Sequence, residues 1–490
     1  MVPVGLGAVA ALGQAPFGWW WATLLGLTAG LFMILRSSTP KTAAWCGWAL
    51  ALGYFAASLN WLVEPFYVDA ARHAWMAPFA LFFMSGGLAL FWAAAAGGAH
   101  RFAPLRWRWL SLVAALIAAE LLRARIFTGF PWASPGHVWI DTPLAQLAAV
   151  IGASGLGALT FLWAGLLAQS VQSRKMRRLS FGAALIGTGV IAVISAMILV
   201  PSDLPPDRDQ TVRLIQPNAP QHLKWHPDHA ADYVARQLDY TEAPAAVPPD
   251  LILWPETAVP TLLRWAEDLL PRMADAGQGA PILFGIQRDE GLRYFNSLVL
   301  LGPEGDIQAS YDKHHLVPFG EYVPYGDLMA NLGINAFSAE LGHGYSAGPS
   351  AQVMDLGELG KVLPLICYEA VFPQDMHAAP ERPDWVLHAT NDAWFGEFSM
   401  PYQHLDIARF RAIEFGLPVI RVANTGVSAV IGPTGEIRQA LALGTDGYLD
   451  ARIPGSRSVT PFARFGDLPL TLLVIATLGA VWRPRQRNCN

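Results

Sequence analysis

Residues 362–373 read VLPLICYEAVFP, and this stretch decides the fold class of the larger part of the chain. A short apolar run, Val362–Cys367, ends at a cysteine and is followed at once by Tyr368 and Glu369. Apolar runs of this length bounded by turn residues mark strands buried on both faces. Runs of the same kind recur at Thr211–Ile215, Leu251–Trp254, Ile282–Ile286, Ser297–Leu301, Trp385–Ala389, Val419–Val422 and Ser428–Ile431. Helical patterns such as His229–Tyr240 and Gln403–Glu414 lie between them. Strands alternating with helices predict an α/β domain whose strands are covered by helices.

Upstream of this region the pattern changes. Hydrophobic residues make up 53% of the 490 and charged residues only 14%, against about 25% charged in soluble proteins. The excess is concentrated in the first two hundred positions and in one stretch near the C-terminus. A bilayer-spanning helix needs about 20 mostly apolar residues. Suitable stretches run near 18–35, 42–63, 74–99, 107–124, 147–172, 179–200 and 466–482, and the opening segment, Met1–Ala15, adds a shorter one. The expectation is a membrane domain of about eight transmembrane helices, the first of them short. It lacks the basic start and small-residue cleavage site of a signal peptide.

The basic residues orient these spans. Arg36 and Lys41, Arg101, Arg106 and Arg108, Arg174, Lys175, Arg177 and Arg178, and Arg483, Arg485 and Arg487 fall in four connecting segments without Asp or Glu. Alternating spans put all four on one side, the cytoplasm. The region after residue 201 then lies outside, in the periplasm of a bacterial inner membrane. Because the basic segments are set apart while the whole chain carries −5, that outer region is acidic, which argues against nucleic acid as a partner. The expected organisation is a seven-span domain at 1–200, a Pro-rich linker at 201–210, a catalytic domain at 211–455, a final helix at 464–483 and a tail at 484–490.

Three segments each present an ionisable side chain directly after, or close to, a strand-like run, where a sheet holds the backbone still. LILWPE (251–256) ends at Glu256, YDKHHLVPFGEYVP (311–324) carries Lys313 and Glu321, and the opening stretch carries Cys367. A cation lowers a thiol's pKa, so Lys313 suits activation of Cys367 and stabilisation of an oxyanion. Glu256 suits proton transfer, and the Tyr368 N–H a second oxyanion contact. Cys46, Cys367 and Cys489 are the only cysteines, so Cys367 has no disulfide partner within its domain. His314, His315 and His404 lack the spacing of a metal site, and no cofactor is expected. Glu120 and Arg123, three residues apart on a helix, suit either a structural ion pair or a headgroup contact. Gly152, Gly155 and Gly157 read as helix-packing glycines. The apolar segment 325–337 reads equally as core or as a mobile arm gating lipid entry.

The set Glu256, Lys313 and Cys367 resembles the Glu-Lys-Cys triad of the nitrilase superfamily, whose fold is an α-β-β-α sandwich. With the spans, the chain resembles the apolipoprotein N-acyltransferase family. The matching segments are ELLRARIFTGFPW (120–132), QPNAPQHLKW (216–225), LWPETAVP (253–260), YDKHHLVPFGEYVPYG (311–326), ICYEAVFP (366–373), NDAWFG (391–396) and RFRAIEFGLPVIRVANTGVSAVIGP (409–433). His314 and Leu417 stand where that pattern has arginine. The resemblance implies Cys367 as nucleophile, Glu256 as general base, Lys313 as oxyanion stabiliser and Glu321 as a second essential glutamate. It also implies Tyr368 and Glu369 as supporting residues and Trp225 and Trp394 as substrate contacts. The implied partners are a phospholipid acyl donor, such as phosphatidylethanolamine, and a diacylglyceryl apolipoprotein acceptor, handled by a monomer. Two alternatives stand beside it: a membrane-tethered amidase with the same triad, and a non-catalytic lipid- or lipoprotein-binding module.

Overall fold

The alternation in Leu251, Ile252, Leu253 and Trp254 places successive side chains on opposite faces of a strand. In the computed structural model, Leu251 and Leu253 enter one buried cluster while Ile252 and Trp254 enter another. The structure describes residues 1–172, 175–199, 204–324 and 344–482. The segment 325–337, the first residues of the expected linker and the tail lie outside them. The chain divides into two units, one of residues 1–202, 398–406 and 459–490 and the other of residues 203–397 and 407–458.

The second unit holds thirteen strands among the described residues. They are β1 (Thr211–Gln216), β2 (Leu251–Leu253), β3 (Val259–Leu262), β4 (Ile282–Glu290), β5 (Arg293–Leu301), β6 (Ile307–Asp312), β7 (Met354–Asp355), β8 (Lys361–Ile366), β9 (Trp385–Thr390), β10 (Val419–Ala423), β11 (Ser428–Ile431), β12 (Ile437–Leu441) and β13 (Gly447–Arg452). One sheet has the order β13-β1-β2-β4-β5-β6 with β3 also on β4, and the other has the order β12-β11-β10-β9-β8-β7. Parallel pairs form the middle of each sheet, β1 with β2 and β2 with β4 in one, β8 with β9 and β9 with β10 in the other. Strands of this kind need both faces covered.

The inner faces meet in a shared core. Val212, Leu214, Leu283 and Leu298 of the first sheet pack with Val362, Ile366, Leu387, Ile420 and Val422 of the second. On the outer face of the first sheet, Ile282, Phe284 and Ile286 pack against Met273 and Ala274 of the helix Leu270–Ala276 and against Leu238 of the helix Pro227–Glu242. The strands β2, β6, β8 and β9 are followed within three residues by Glu256, Lys313, Cys367 and Asn391 respectively. In α/β sheets such carboxyl ends are where ligands bind.

In the first unit, helices occupy the expected apolar stretches. Ala70–Phe102, Pro143–Gln172 and Phe181–Leu199 are long and apolar enough to cross a membrane, and Pro40–Ser58 with Asn60–Tyr67 forms a fourth candidate bent by 48°. Val2–Ala11, Trp20–Leu35 and Leu468–Val481 are apolar but shorter. Length and composition thus support three or four crossings directly. Ten residues in Val2–Ala11 rise only about 15 Å at 1.5 Å per residue, half the hydrocarbon thickness.

Glu120 and Arg123 form the structural pair. Arg123 Nη2 lies 2.6 Å from Glu120 Oε2 and its Nε donates to Oε1 at 3.0 Å. Trp92 Nε1 also donates to Glu120 at 2.8 Å, while Arg123 Nη1 donates to the carbonyls of Trp132, at 2.9 Å, and Phe130. Gly152 is not a simple packing glycine. Its φ of +66° breaks the helix Ala148–Gln172, and a Cβ there would lie 2.2 Å from the Phe462 ring. Only glycine takes that conformation in that space.

Candidate active site

Lys313 follows β6 directly, its N–H donating to the Asn296 carbonyl of β5 at 2.9 Å. The side chain is 1% exposed. Nζ donates to Glu321 Oε1 at 2.8 Å and to Glu256 Oε1 at 3.4 Å. Asn296 Nδ2 bridges the same two oxygens, at 2.7 Å to Glu256 and 3.2 Å to Glu321. The remaining oxygen of Glu256 accepts from the Asn391 N–H at 2.8 Å, and that of Glu321 from the Val317 N–H at 2.8 Å. Burial alone would drive Lys313 toward its neutral form, but Glu321 and then Glu256 outweigh it and hold the ammonium above the ordinary lysine range. A buried charge survives only with such partners.

Cys367 begins a turn of 3₁₀ helix, Cys367–Val371, at the end of β8 and has φ of +50°. A non-glycine residue in the left-handed region costs about 1–3 kcal/mol and is held there by its surroundings. His388 Nε2 lies 3.2 Å from the Cys367 carbonyl, and Arg421 Nη1 lies 2.9 Å from His388 Nδ1. Arg421 itself pairs with buried Asp392 at 2.5 Å. Arg421 Nη1 also lies 3.3 Å from His388 Nε2, so the guanidinium packs against the imidazole that contacts the carbonyl of the strained residue. Thr390 hydrogen-bonds the thiol. Burial, then Glu256, push the thiol far above its usual value, and Lys313 lowers it only in part. Lys313 thus acts on the thiol in the direction a nearby cation should, while burial and Glu256 act against it.

Glu369, fully buried, joins the two segments. Its Oε2 accepts from the Ile366 N–H at 2.7 Å, and its Oε1 from the N–H groups of His314 at 2.8 Å and His315 at 3.2 Å. Tyr311 donates its hydroxyl to the same carboxylate at 2.9 Å. One side chain therefore fixes the backbone beside Lys313 against the backbone beside Cys367. His314 lies between two carboxylates: Nδ1 is 2.7 Å from Glu369 and Nε2 3.7 Å from Asp375. Burial would lower its pKa, but Asp375 and Glu369 raise it to about 10. His315 turns to Asp375 at 2.9 Å.

Trp225 is 39% exposed and Trp394 partly buried. Trp225 follows buried Lys224, whose Nζ touches the Glu256 carbonyl, and Trp394 lies three residues beyond Asn391. Tyr368 is buried and packs edge-on against Phe372 and His315. Sequence reasoning missed Asn296, Asn391 and Lys224. Asn296 had a signal: an amide at the start of the buried half of β5 must have a buried partner. Asn391 lies in the NDAWFG segment and acts through its backbone N–H, which no side-chain pattern reports. Its amide is held by Gln221 and Asn424, each at 2.8 Å.

Comparison with known proteins follows the same division of the chain. Residues 6–166 match the apolipoprotein N-acyltransferase N-terminal domain and residues 211–460 the carbon-nitrogen hydrolase family. An apolipoprotein N-acyltransferase of Caulobacter vibrioides is 38% identical over 96% of this chain and 91% of its own. One from Rhodopseudomonas palustris is 36% identical over 96% and 92%. Among solved structures, an amidase from Nesterenkonia sp. is similar at 20% identity, covering 55% of this chain and 98% of its own, with a TM-score of 0.40. The residues matched and the extent of both relatives agree, and the chain belongs to the apolipoprotein N-acyltransferase family.

Proposed function

We propose that this acyltransferase moves a fatty acyl group from a phospholipid to the N-terminal α-amine of a diacylglyceryl-cysteine, through a thioester on Cys367. The observation that carries the reading is the buried Lys313 ammonium held between Glu256 and Glu321 and coupled to the Cys367 thiol. In the first half-reaction the thiol proton passes to Glu256 as sulfur attacks the ester carbonyl. The C–S bond forms, the carbonyl oxygen takes the negative charge, and Lys313 Nζ with the Tyr368 N–H stabilises it. The ester C–O bond then breaks, Glu256 gives its proton to the departing oxygen, and a lysophospholipid leaves. In the second half, the amine attacks the thioester carbon and Glu256 takes a proton from nitrogen. The C–N bond forms as C–S breaks, and the proton returns to sulfur.

A neutral resting thiol suits this scheme, because thiolate is needed only as the carbonyl arrives. Glu321 keeps Lys313 charged and aimed, Glu369 keeps the two loops in register, and Trp225 and Trp394 contact substrate. Phosphatidylethanolamine as donor, a monomeric state and eight crossings with 211–455 in the periplasm of an inner membrane complete the proposal. The four purely basic segments and the apolar helices support that orientation.

Intact mass of the detergent-purified protein, before and after incubation with phospholipid, tests the reading. The expected outcome is a gain of one acyl chain that hydroxylamine removes and Cys367→Ala lacks. Activity persisting in full in Cys367→Ala overturns it.

A further inference from the structure

His388, Thr390 and Arg421 of the second sheet, and Asp392 just after β9, are fully buried, and the acyl-transfer scheme gives none of them a task. His388 of β9 and Arg421 of β10 are register partners. Because side chains alternate along a strand, they point away from the inner face that Leu387, Ala389, Ile420 and Val422 line. Arg421 Nη2 pairs with Asp392 Oδ2 at 2.5 Å, and its Nε donates to the Val427 carbonyl at 3.1 Å. Thr390 Oγ1 donates to the other Asp392 oxygen at 3.0 Å. The fit is close, since a Cβ on Gly426 would lie 2.1 Å from Asp392 Oδ2. An ion pair buried where apolar side chains could pack adds little or no stability. Packing alone does not account for this layer.

Its contacts lead to the nucleophile. Arg421 Nη1 packs on the imidazole of His388, whose Nε2 is 3.2 Å from the Cys367 carbonyl oxygen. That oxygen can only accept, so the ring meets it with an N–H. The peptide joining Cys367 to Tyr368 is trans and planar, so its C=O and N–H point in opposite directions. Whatever holds the carbonyl therefore also aims the Tyr368 N–H. The restraint is needed, because Cys367 has φ of +50° and such a backbone persists only where its surroundings fix it. On the other side of the residue, Glu369 holds the Ile366 N–H at 2.7 Å. We propose that His388, anchored on the Arg421–Asp392 pair, is a positioning residue that locks the Cys367–Tyr368 peptide and so aims the Tyr368 N–H at the oxygen that takes charge during acyl transfer. The proposal rests on the thioester reading, with Cys367 as nucleophile.

Two reactions of the same sulfur separate aiming from general disruption. Acylation builds charge on a carbonyl oxygen, whereas alkylation by iodoacetamide displaces iodide and forms no oxyanion. Both are followed by intact mass on the full chain in detergent, acylation in single turnover from mixed micelles of phosphatidylethanolamine. H388L should lower the limiting acylation rate about 10–100-fold, less than the loss of an oxyanion donor removed outright. Its half-saturating lipid concentration should stay within about twofold of wild type, and its alkylation rate should not change. H388Q, whose amide nitrogen reaches where Nε2 does, should restore acylation to within about threefold. H388N, whose shorter amide stops at the place of Nδ1, should not, and this pair decides the matter should leucine prevent folding. Acylation at the wild-type rate in H388L or H388N overturns the proposal, as does a parallel loss of acylation and alkylation, or a failure of H388Q to rescue. Failure of the underlying reading looks different: acylation that survives in C367A rejects the thioester whatever the His388 variants do.

Discussion

Each unit of the molecule buries a lysine or arginine against carboxylate, and the two sites are built on opposite principles. In the membrane unit, Arg123 and Glu120 sit three residues apart on one helix, and the guanidinium spends its remaining donors on nearby carbonyls. Every partner comes from the same helix, the loop after it or an adjacent indole. In the catalytic unit, Lys313 and Glu321 share one segment while Glu256 comes from another, 57 residues away in sequence, and one ammonium is shared by two carboxylates. A local, saturated pair costs little to assemble and has nothing left to offer a substrate. A shared, distant one must be held by the whole sandwich, and it keeps a charge facing the nucleophile. Burial of charge therefore marks function only when its partners are drawn from across the fold.

The contrast yields predictions of decreasing size. Lys313→Met should lower acyl-enzyme formation by about 10²–10³-fold or more, the range for loss of one oxyanion donor, while the protein stays folded. Stopped intact-mass measurements on the variant check it; a rate within tenfold of wild type would erase the distinction drawn above. Arg123→Met should do the reverse. Breaking a buried pair by removing one partner costs about 3–5 kcal/mol, seen as a lower unfolding temperature in detergent, while the folded fraction acylates at nearly the wild-type rate.

The smallest effect belongs to His314, a cation of intermediate design, partly exposed yet paired across segments with Glu369 and Asp375. Its folded pKa of about 10 lies above the unfolded value near 6.5. The stabilisation it adds is therefore complete below about pH 6.5 and is lost as pH rises toward 10. Thermal unfolding from pH 6 to pH 10 should show a downward slope that His314→Asn removes. An equal slope in both proteins would mean the pairing adds no stability.

Much of the catalytic unit could be read from sequence because strand ends announce themselves. Glu256 and Cys367 each follow an apolar run and Lys313 follows the strand β6, and the structure brings Glu256, Lys313 and Glu321 into one hydrogen-bonded group. What could not be read was which neutral groups complete it. Asn296 is two strands away from Glu256 in the sheet, and Asn391 reaches it through a backbone N–H that no side-chain motif reports. The state of the thiol was equally hidden, since it depends on how deep the residue lies rather than on which cation is near. In the membrane unit, hydropathy located the helices but not their lengths. It also missed the break at Gly152, because nothing local reveals that Phe462, three hundred residues later, fills the space of its missing side chain.

The depth at which Cys367 lies, which pushes its thiol up, also bears on how this enzyme meets foreign reagents. Oxidants and electrophiles consume thiolates, and their attack follows thiolate character and exposure. A sulfur that, under the proposed scheme, gives up its proton only when a carbonyl is seated beside Lys313 is a poor target for indiscriminate chemistry. Covalent inhibitors chosen for raw reactivity should therefore label it slowly. Compounds that present an acyl-like carbon in the geometry of the donor ester would arm the sulfur themselves, so that selectivity would come from shape and not from the warhead.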